Sequence, residues 1–122
     1  SVFYECNGFT KLKISNKLIK ISKLAFCNCY GFRCELKIPE SITIIDEYAF
    51  YNCSNFYGSL NIPKTVKIIA EYAFYNCCGF TGTLNLPNLK KINSFTFYGC
   101  KNLRYKLIIL LNILKIVHFQ AV

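Results

Sequence analysis

The heptapeptide EYAFYNC occurs twice, at residues 47–53 and 71–77, and brings a carboxylate, two phenols and a thiol together at fixed spacing. A carboxylate and a thiol can take part in acid–base or nucleophilic chemistry. The related stretches VFYEC, LAFCNC and TFYGC keep the phenylalanine and the cysteine but not the leading glutamate, which favours a structural turn over a duplicated catalytic loop. The single histidine, His118, lies in the terminal tail, so no Ser-His-Asp or Cys-His arrangement is available. We predict that the chain is not an enzyme and has no cofactor.

Five of the eight cysteines recur at steps of 23 or 24 residues: Cys6, Cys29, Cys53, Cys77 and Cys100. If the units stack, these thiols lie in parallel, and parallel stacking rarely supplies the torsion that a disulfide requires. We interpret the five as buried, reduced, small apolar side chains whose S–H groups donate weakly to neighbouring backbone.

The other three cysteines are Cys27, Cys34 and Cys78. Together with Cys29, the first two form the spacing C-x-C-x-x-x-x-C, which could hold a metal ion if a fourth ligand approached. A structural zinc site takes four ligands and His118 is distant in sequence, so we predict no metal site. A disulfide between two of these three thiols stays open for a secreted protein.

Further columns share the register of the cysteines. They include Phe3, Phe26, Phe50, Phe74 and Phe97, and the prolines Pro39, Pro63 and Pro87 at a strict step of 24. A fixed period of this length is typical of stacked repeats. We predict a β-rich repeat solenoid of about five coils of 23–24 residues, which spans residues 1–106 and starts in the middle of a repeat.

Each unit alternates apolar and polar residues before its proline, as in Leu36-Lys37-Ile38, which predicts a short strand that the proline ends. A second extended piece fits residues 42–45 and 66–69, and A-F-x-x-C predicts a helical turn. Two columns of glycine or asparagine predict corners with positive φ: Gly8, Gly31, Asn55, Gly79 and Asn102, then Asn28, Asn52, Asn76 and Gly99. Residues 107–122 are predicted to form a degenerate sixth repeat or C-terminal cap, with a helix as the alternative.

The segments IPESITIIDEYAFYNCSNF, IPKTVKIIAEYAFYNCCGF and LPNLKKINSFTFYGCKNL resemble the BspA-like leucine-rich repeats, which occur in surface proteins of bacteria and protists. The resemblance implies a leucine-rich-repeat solenoid that binds other molecules through one face, often in adhesion. It implies no enzymatic activity. It also implies a cell-surface or secreted location, although no signal peptide is recognised in the chain and a cytoplasmic location stays open.

Strand residues that face away from the predicted core differ from unit to unit, and variation on a fixed scaffold is how repeat proteins form different binding surfaces. The candidate binding residues are Lys13, Arg33, Glu35, Lys37, Tyr57, Ser59, Asn61, Thr81, Thr83, Asn85, Arg104 and Lys106. A tyrosine column at Tyr4, Tyr51, Tyr75 and Tyr98 could also bind a partner, but we favour a stacked ladder that seals the edge of the array. The expected partner is a protein or glycan on a cell or matrix surface.

The formal net charge is +9, and no acidic residue follows Glu71. A basic cluster of Lys64, Lys67, Lys90 and Lys91 could meet an acidic polymer, but nucleic acid is disfavoured because no recognisable binding module is present. A purely structural spacer is a further alternative. No apolar run reaches the roughly 18–20 residues of a spanning helix, and we expect either end-to-end association or a fragment of a longer array.

Overall fold

The computed structural model describes residues 10–87, 89, 91–93 and 95–104. Within them lie five short strands: β1 Lys20–Ile21, β2 Ile44–Ile45, β3 Leu60–Asn61, β4 Ile68–Ile69 and β5 Leu84–Asn85. All pairs are parallel, in the orders β1-β2-β4 and β3-β5. The paired residues are 24 positions apart in the sequence, as Ile44 and Ile68 are, so successive units stack in parallel. No helix long and apolar enough to cross a membrane occurs in this described part.

The strands are short because each unit turns at both ends of them. After the proline, the N–H of Val66 donates to the carbonyl of Pro63 at 3.1 Å, and the same turn joins Ile42 to Pro39. Isoleucine then supplies the alternation that a half-buried strand requires, since Ile69 is buried and Ile68 is 49% exposed. The strand prediction is therefore confirmed for β3 and β5 before the proline and for β2 and β4 after it. It is wrong for residues 36–38, which form no strand because the register there is shifted and only Glu35 forms an isolated bridge, to Tyr57.

The A-F-x-x-C segment differs from the predicted helical turn, and no helix occurs among the described residues. Its backbone N–H groups alternate between acceptors in the same unit and in the next one. The N–H of Ala49 donates to the carbonyl of Asp46 within the unit, whereas the N–H of Phe50 donates to the carbonyl of Ala73 in the next unit at 2.8 Å. A helix needs every N–H to bond four residues back. The left-handed residues Tyr48 (φ 57°) and Asn52 (φ 60°) also interrupt the helical conformation on both sides.

Only one of the two predicted corner columns adopts positive φ. Asn28, Asn52, Asn76 and Gly99 do so, whereas Gly79 and its described equivalents at positions 31, 55 and 102 do not, and Gly8 lies outside the described residues. A Cβ on Gly79 would overlap the backbone carbonyls of Ser54 and Phe56, so glycine is required there by close approach rather than by φ. Asparagine at the equivalent Asn102 instead donates through Nδ2 to the carbonyl of Cys78 at 2.9 Å.

The core consists of aromatic side chains stacked from unit to unit. Rings of Phe26, Phe50, Phe74 and Phe97 follow one another at centroid distances of 5.2, 5.1 and 5.6 Å and within 11° of parallel. A second stack, which runs from Phe32 through Phe56 to Phe80, meets the first edge to face. Ala49 and Ala73 are fully buried beside the first stack. Thr96 occupies the equivalent position in the next unit. Its buried hydroxyl is satisfied, because Oγ1 lies within hydrogen-bond distance of the carbonyl oxygens of Asn93 and Ala70.

Candidate interaction surfaces

The strand face is the outer surface around β3 and β5, where the predicted binding residues lie. Leu60 and Leu84 point into the core and are fully buried. Because side chains alternate along a strand, the residues directly before and after each leucine point outward. Lys106 lies outside the described residues. Of the other predicted binding residues, Ser59, Thr83 and Asn85 are partly buried, and the exposed ones are Lys13, Arg33, Glu35, Lys37, Tyr57, Asn61, Thr81 and Arg104.

Part of this face stabilises the stack itself. The backbone N–H of Thr83 donates to Oγ of Ser59 at 3.0 Å, and Asn85 donates through Nδ2 to Oδ1 of Asn61. These polar groups therefore already have partners within the array. The side chains that remain free for a partner are mainly the charged ones and Tyr57.

Tyr57 is the exposed aromatic residue of the strand face, with 51% of its surface accessible. It pairs with Glu35, 22 residues back, whereas β3 and β5 pair at 24. Gly58 lies within the resulting bulge at φ 78°, and a Cβ there would lie 3.3 Å from Cγ of Glu35. The bulge thus holds Tyr57 outward beside the Glu35 side chain.

A double aromatic ladder lies on the turn segments. Tyr51, Tyr75 and Tyr98 stack at 4.9 and 5.1 Å. Tyr48, Tyr72 and Phe95 form a parallel row at 4.9 and 5.3 Å. The rows touch each other, as Tyr48 does Tyr51 at 5.3 Å. Because the rings cover one another's faces, the ladder offers its ring edges and hydroxyl groups to solvent.

A corner groove of about 300 Å³ lies at the asparagine row. It is lined by Asn52, Asn76 and Gly99 of that row and by a second set, Tyr30, Ser54, Cys78 and Lys101. Sequence reasoning missed this groove. The signal was present, since the second set occupies one equivalent position per unit and differs in every unit.

The family comparison agrees with the stacked geometry. A family model described as a BspA-type leucine-rich repeat region matches residues 1–118 in six copies. The chain belongs to the BspA-type leucine-rich-repeat family. Comparisons with curated proteins and with solved structures gave no match. Membership of this family suggests a protein-interaction module, and such repeats are typically non-enzymatic.

The cysteine ladder of this BspA-type array is buried and hydrogen-bonded. Sγ of Cys53, Cys77 and Cys100 donates to the carbonyls of Phe26, Phe50 and Phe74 at 2.8, 3.0 and 3.0 Å. Burial raises the pKa of the Cys53 and Cys77 thiols well above the ordinary value of 9.0, and the neighbouring Cys100 thiol adds to the rise at Cys77. Thiols held in this protonated state are poor nucleophiles and poor metal ligands.

The cysteines outside the ladder do not gather into a ligand set. Cys27 is buried, whereas Cys34 and Cys78 are partly exposed, and no disulfide joins the three to one another. In the described part of the chain no group of three or more cysteine, histidine or acidic side chains could hold a metal ion.

The second strand face of the BspA-type array, formed around β1, β2 and β4, carries ion pairs at its N-terminal end. Lys20 meets Asp46 at 3.1 Å and Lys23 meets Glu47 at 3.4 Å. Burial alone would raise the pKa of Asp46, but the Glu47 N–H and the Lys20 ammonium group lower it below the ordinary 3.8. Lys64, Lys67 and Lys91 of the predicted basic cluster are exposed, and Lys90 lies outside the described residues.

Proposed function

We propose that this chain is the interaction module of a cell-surface, adhesin-like protein and that the strand face binds its partner. Tyr57 carries the proposal, because a half-exposed tyrosine on a rigid scaffold gives a large contact area at low entropy cost. The equivalent positions in the adjacent units are held by Arg33 and Thr81, both exposed. Tyrosine and arginine are the residue types most enriched among those that dominate binding energy.

The charge of the strand face favours a partner with acidic groups. The described part of the face carries Lys13, Lys37, Arg33 and Arg104 against the single carboxylate of Glu35. Complementary charge on a partner would speed association and fix its orientation. A surface or secreted location, which is frequent in the family, supports a protein or glycan of a cell or matrix surface as this partner.

The extent of the module is part of the same proposal. We take residues 1–106 as the repeat module and residues 107–122 as a degenerate sixth repeat or a C-terminal cap, as the sequence predicts. Six matched copies that reach residue 118 support this arrangement.

The test is adhesion of beads coated with the chain to a panel of matrix proteins and to intact cells. Tyr57→Ala is expected to weaken adhesion by about 30-fold, the effect of losing roughly 2 kcal/mol at a central binding residue. Lys64→Ala is the matched control, since Lys64 is exposed and lies outside the strand face. Equal adhesion of both variants and the unmodified chain would favour the structural spacer. Adhesion that collapses with modest salt and depends on Lys64 would favour the acidic-polymer alternative.

A further inference from the structure

The corner groove presents unsatisfied hydrogen-bonding groups on an otherwise regular ladder. In the preceding units, Asn52 donates through Nδ2 to Oδ1 of Asn28 at 3.0 Å, and Oδ1 of Asn28 also lies 3.5 Å from the Tyr30 hydroxyl. Gly99 ends this row, since it occupies the asparagine position without a side chain. Asn76 is exposed, its amide forms no side-chain hydrogen bond among the described residues, and its Oδ1 lies against Gly99 where a Cβ would be. A ligand in the groove can therefore use the amide N–H donors at this point.

The units follow one another at a regular spacing along the array. The rings of Tyr51, Tyr75 and Tyr98, which directly precede the asparagine row in sequence, repeat at 4.9 and 5.1 Å. The described residues that line the groove come from two equivalent positions of successive units, so they form a line of mainly polar groups with one step per unit.

The charge of the groove selects an anionic ligand. Among the described residues that line it, Lys101 is the charged one and none is a carboxylate. The surrounding chain reinforces this preference, because no acidic residue follows Glu71. A ligand that lies along the groove would place a negative group against Lys101.

The spacing decides which kind of polymer fits. An extended peptide repeats its side-chain pattern every two residues, about 6.6 Å, and so falls out of step with the units. Single-stranded nucleic acid binds by stacking successive bases on a series of open aromatic faces, and among the described residues Tyr30 is the one aromatic side chain that lines the groove. A β-linked polysaccharide in extended form advances by about one pyranose ring per unit and offers hydroxyls at every step.

We propose that the corner groove binds a linear, carboxylated polysaccharide that lies along the array, with its hydroxyls on the asparagine row and Ser54 and a carboxylate on Lys101. This site is separate from the strand face, so its failure would leave the protein-binding proposal untouched. The partner is defined by chemistry: an extended β-linked chain that carries uronic acids.

The test is isothermal titration of the full chain with β-1,4-linked oligomannuronate, with neutral cello-oligosaccharide and polyglutamate as ligand controls. Oligomannuronate is expected to bind and the two controls are not. Lys101→Gln should weaken binding by about tenfold, as loss of a charge-assisted hydrogen bond does. Lys67→Gln makes the same charge change on the second strand face and should leave the affinity unchanged.

Gly99→Asn fills the groove with the residue that the other units carry, and it should weaken binding to a similar extent. The fold should tolerate it, because the overlap is chiefly with the movable amide end of Asn76 and asparagine already adopts positive φ at the equivalent positions. If this variant fails to fold, Asn76→Gly removes the amide that lines the groove, keeps a residue type that adopts positive φ at the equivalent Gly99, and should weaken binding. Binding that survives Lys101→Gln, equal loss in Lys67→Gln, or equal binding of polyglutamate would overturn the proposal.

Discussion

The cysteine ladder predicts that this protein loses stability in alkali. The thiols of Cys53 and Cys77 are buried, and burial raises the pKa of both well above 9.0. Above pH 9 the unfolded chain releases these protons while the folded chain keeps them. Stability rises with pH only where the unfolded state binds more protons, so here it falls. The contribution of the ladder is fully present below pH 8 and is lost as the pH passes the unfolded value.

The magnitude follows from proton linkage. At pH 10, one unit above the ordinary thiol pKa of 9.0, each fully protonated buried thiol lowers the free energy of unfolding by about 1.4 kcal/mol. Two such thiols give about 2.8 kcal/mol, which is a large share of the 5–15 kcal/mol that stabilises a typical domain.

The assay is urea unfolding under reducing conditions at pH 7 to 10. The double variant Cys53→Ala/Cys77→Ala starts from a lower stability at pH 7, because two buried sulfur atoms are removed. Between pH 8 and 10 it should lose about 2.8 kcal/mol less than the unmodified chain. Cys34→Ala, which removes a partly exposed thiol, is the control and should keep the full alkaline loss. An alkaline loss of the same size in the double variant would refute the reasoning.

Three further predictions concern packing and charge. Phe50→Ala should lower the free energy of unfolding by about 4 kcal/mol in urea, because Phe50 is fully buried between two stacked rings; a loss below about 1 kcal/mol would contradict this packing. Gly79→Ala should destabilise more than Gly58→Ala in thermal unfolding, because it overlaps backbone carbonyls, whereas Gly58→Ala meets the Glu35 side chain and an unfavourable φ; the reverse order would be inconsistent with the structure. Asp46→Asn should cost less than about 1 kcal/mol near pH 7, since the Lys20 pair is partly exposed. Because the pKa of Asp46 is lowered, this difference should vanish as the pH falls well below 3.8, as acid titration of urea unfolding can show.

The stacked core was predictable because translation puts identical residues in contact. The phenylalanine and cysteine columns give the register directly, and the parallel pairing of Ile44 with Ile68 follows from it. The conformation of the A-F-x-x-C turn was not predictable from the same columns. A-F-x-x-C fits a helical turn as well as the observed one, and the choice depends on N–H groups that bond to the next unit, such as Phe50 to Ala73. Those partners exist only once the units have stacked.

The proposed binding surfaces divide in the same way. The variable strand positions are visible in the sequence because strand alternation points them outward. Both columns that line the corner groove are also visible in the sequence, since the positive φ of the asparagine row is predicted and Tyr30, Ser54, Cys78 and Lys101 occupy one variable position per unit. That the two columns line one groove depends on the conformation of the turn, which the sequence does not show.

The aromatic ladder explains why these turns depend on their neighbours. Tyr48, Tyr72 and Phe95 hold positive φ of 57–60°, which costs a bulky residue about 1–2 kcal/mol. Each stacked pair returns about 0.5–1.5 kcal/mol, and the hydrogen bond from Tyr48 to Glu71 in the next unit adds to this. Neither gain exists in an isolated unit, so the left-handed turn is stable only within an array. The conformation of each turn is therefore stabilised by its neighbours in the stack. Tyr57 and Lys101 form no stacked ring pair with a neighbouring unit, which is why we propose them as binding residues.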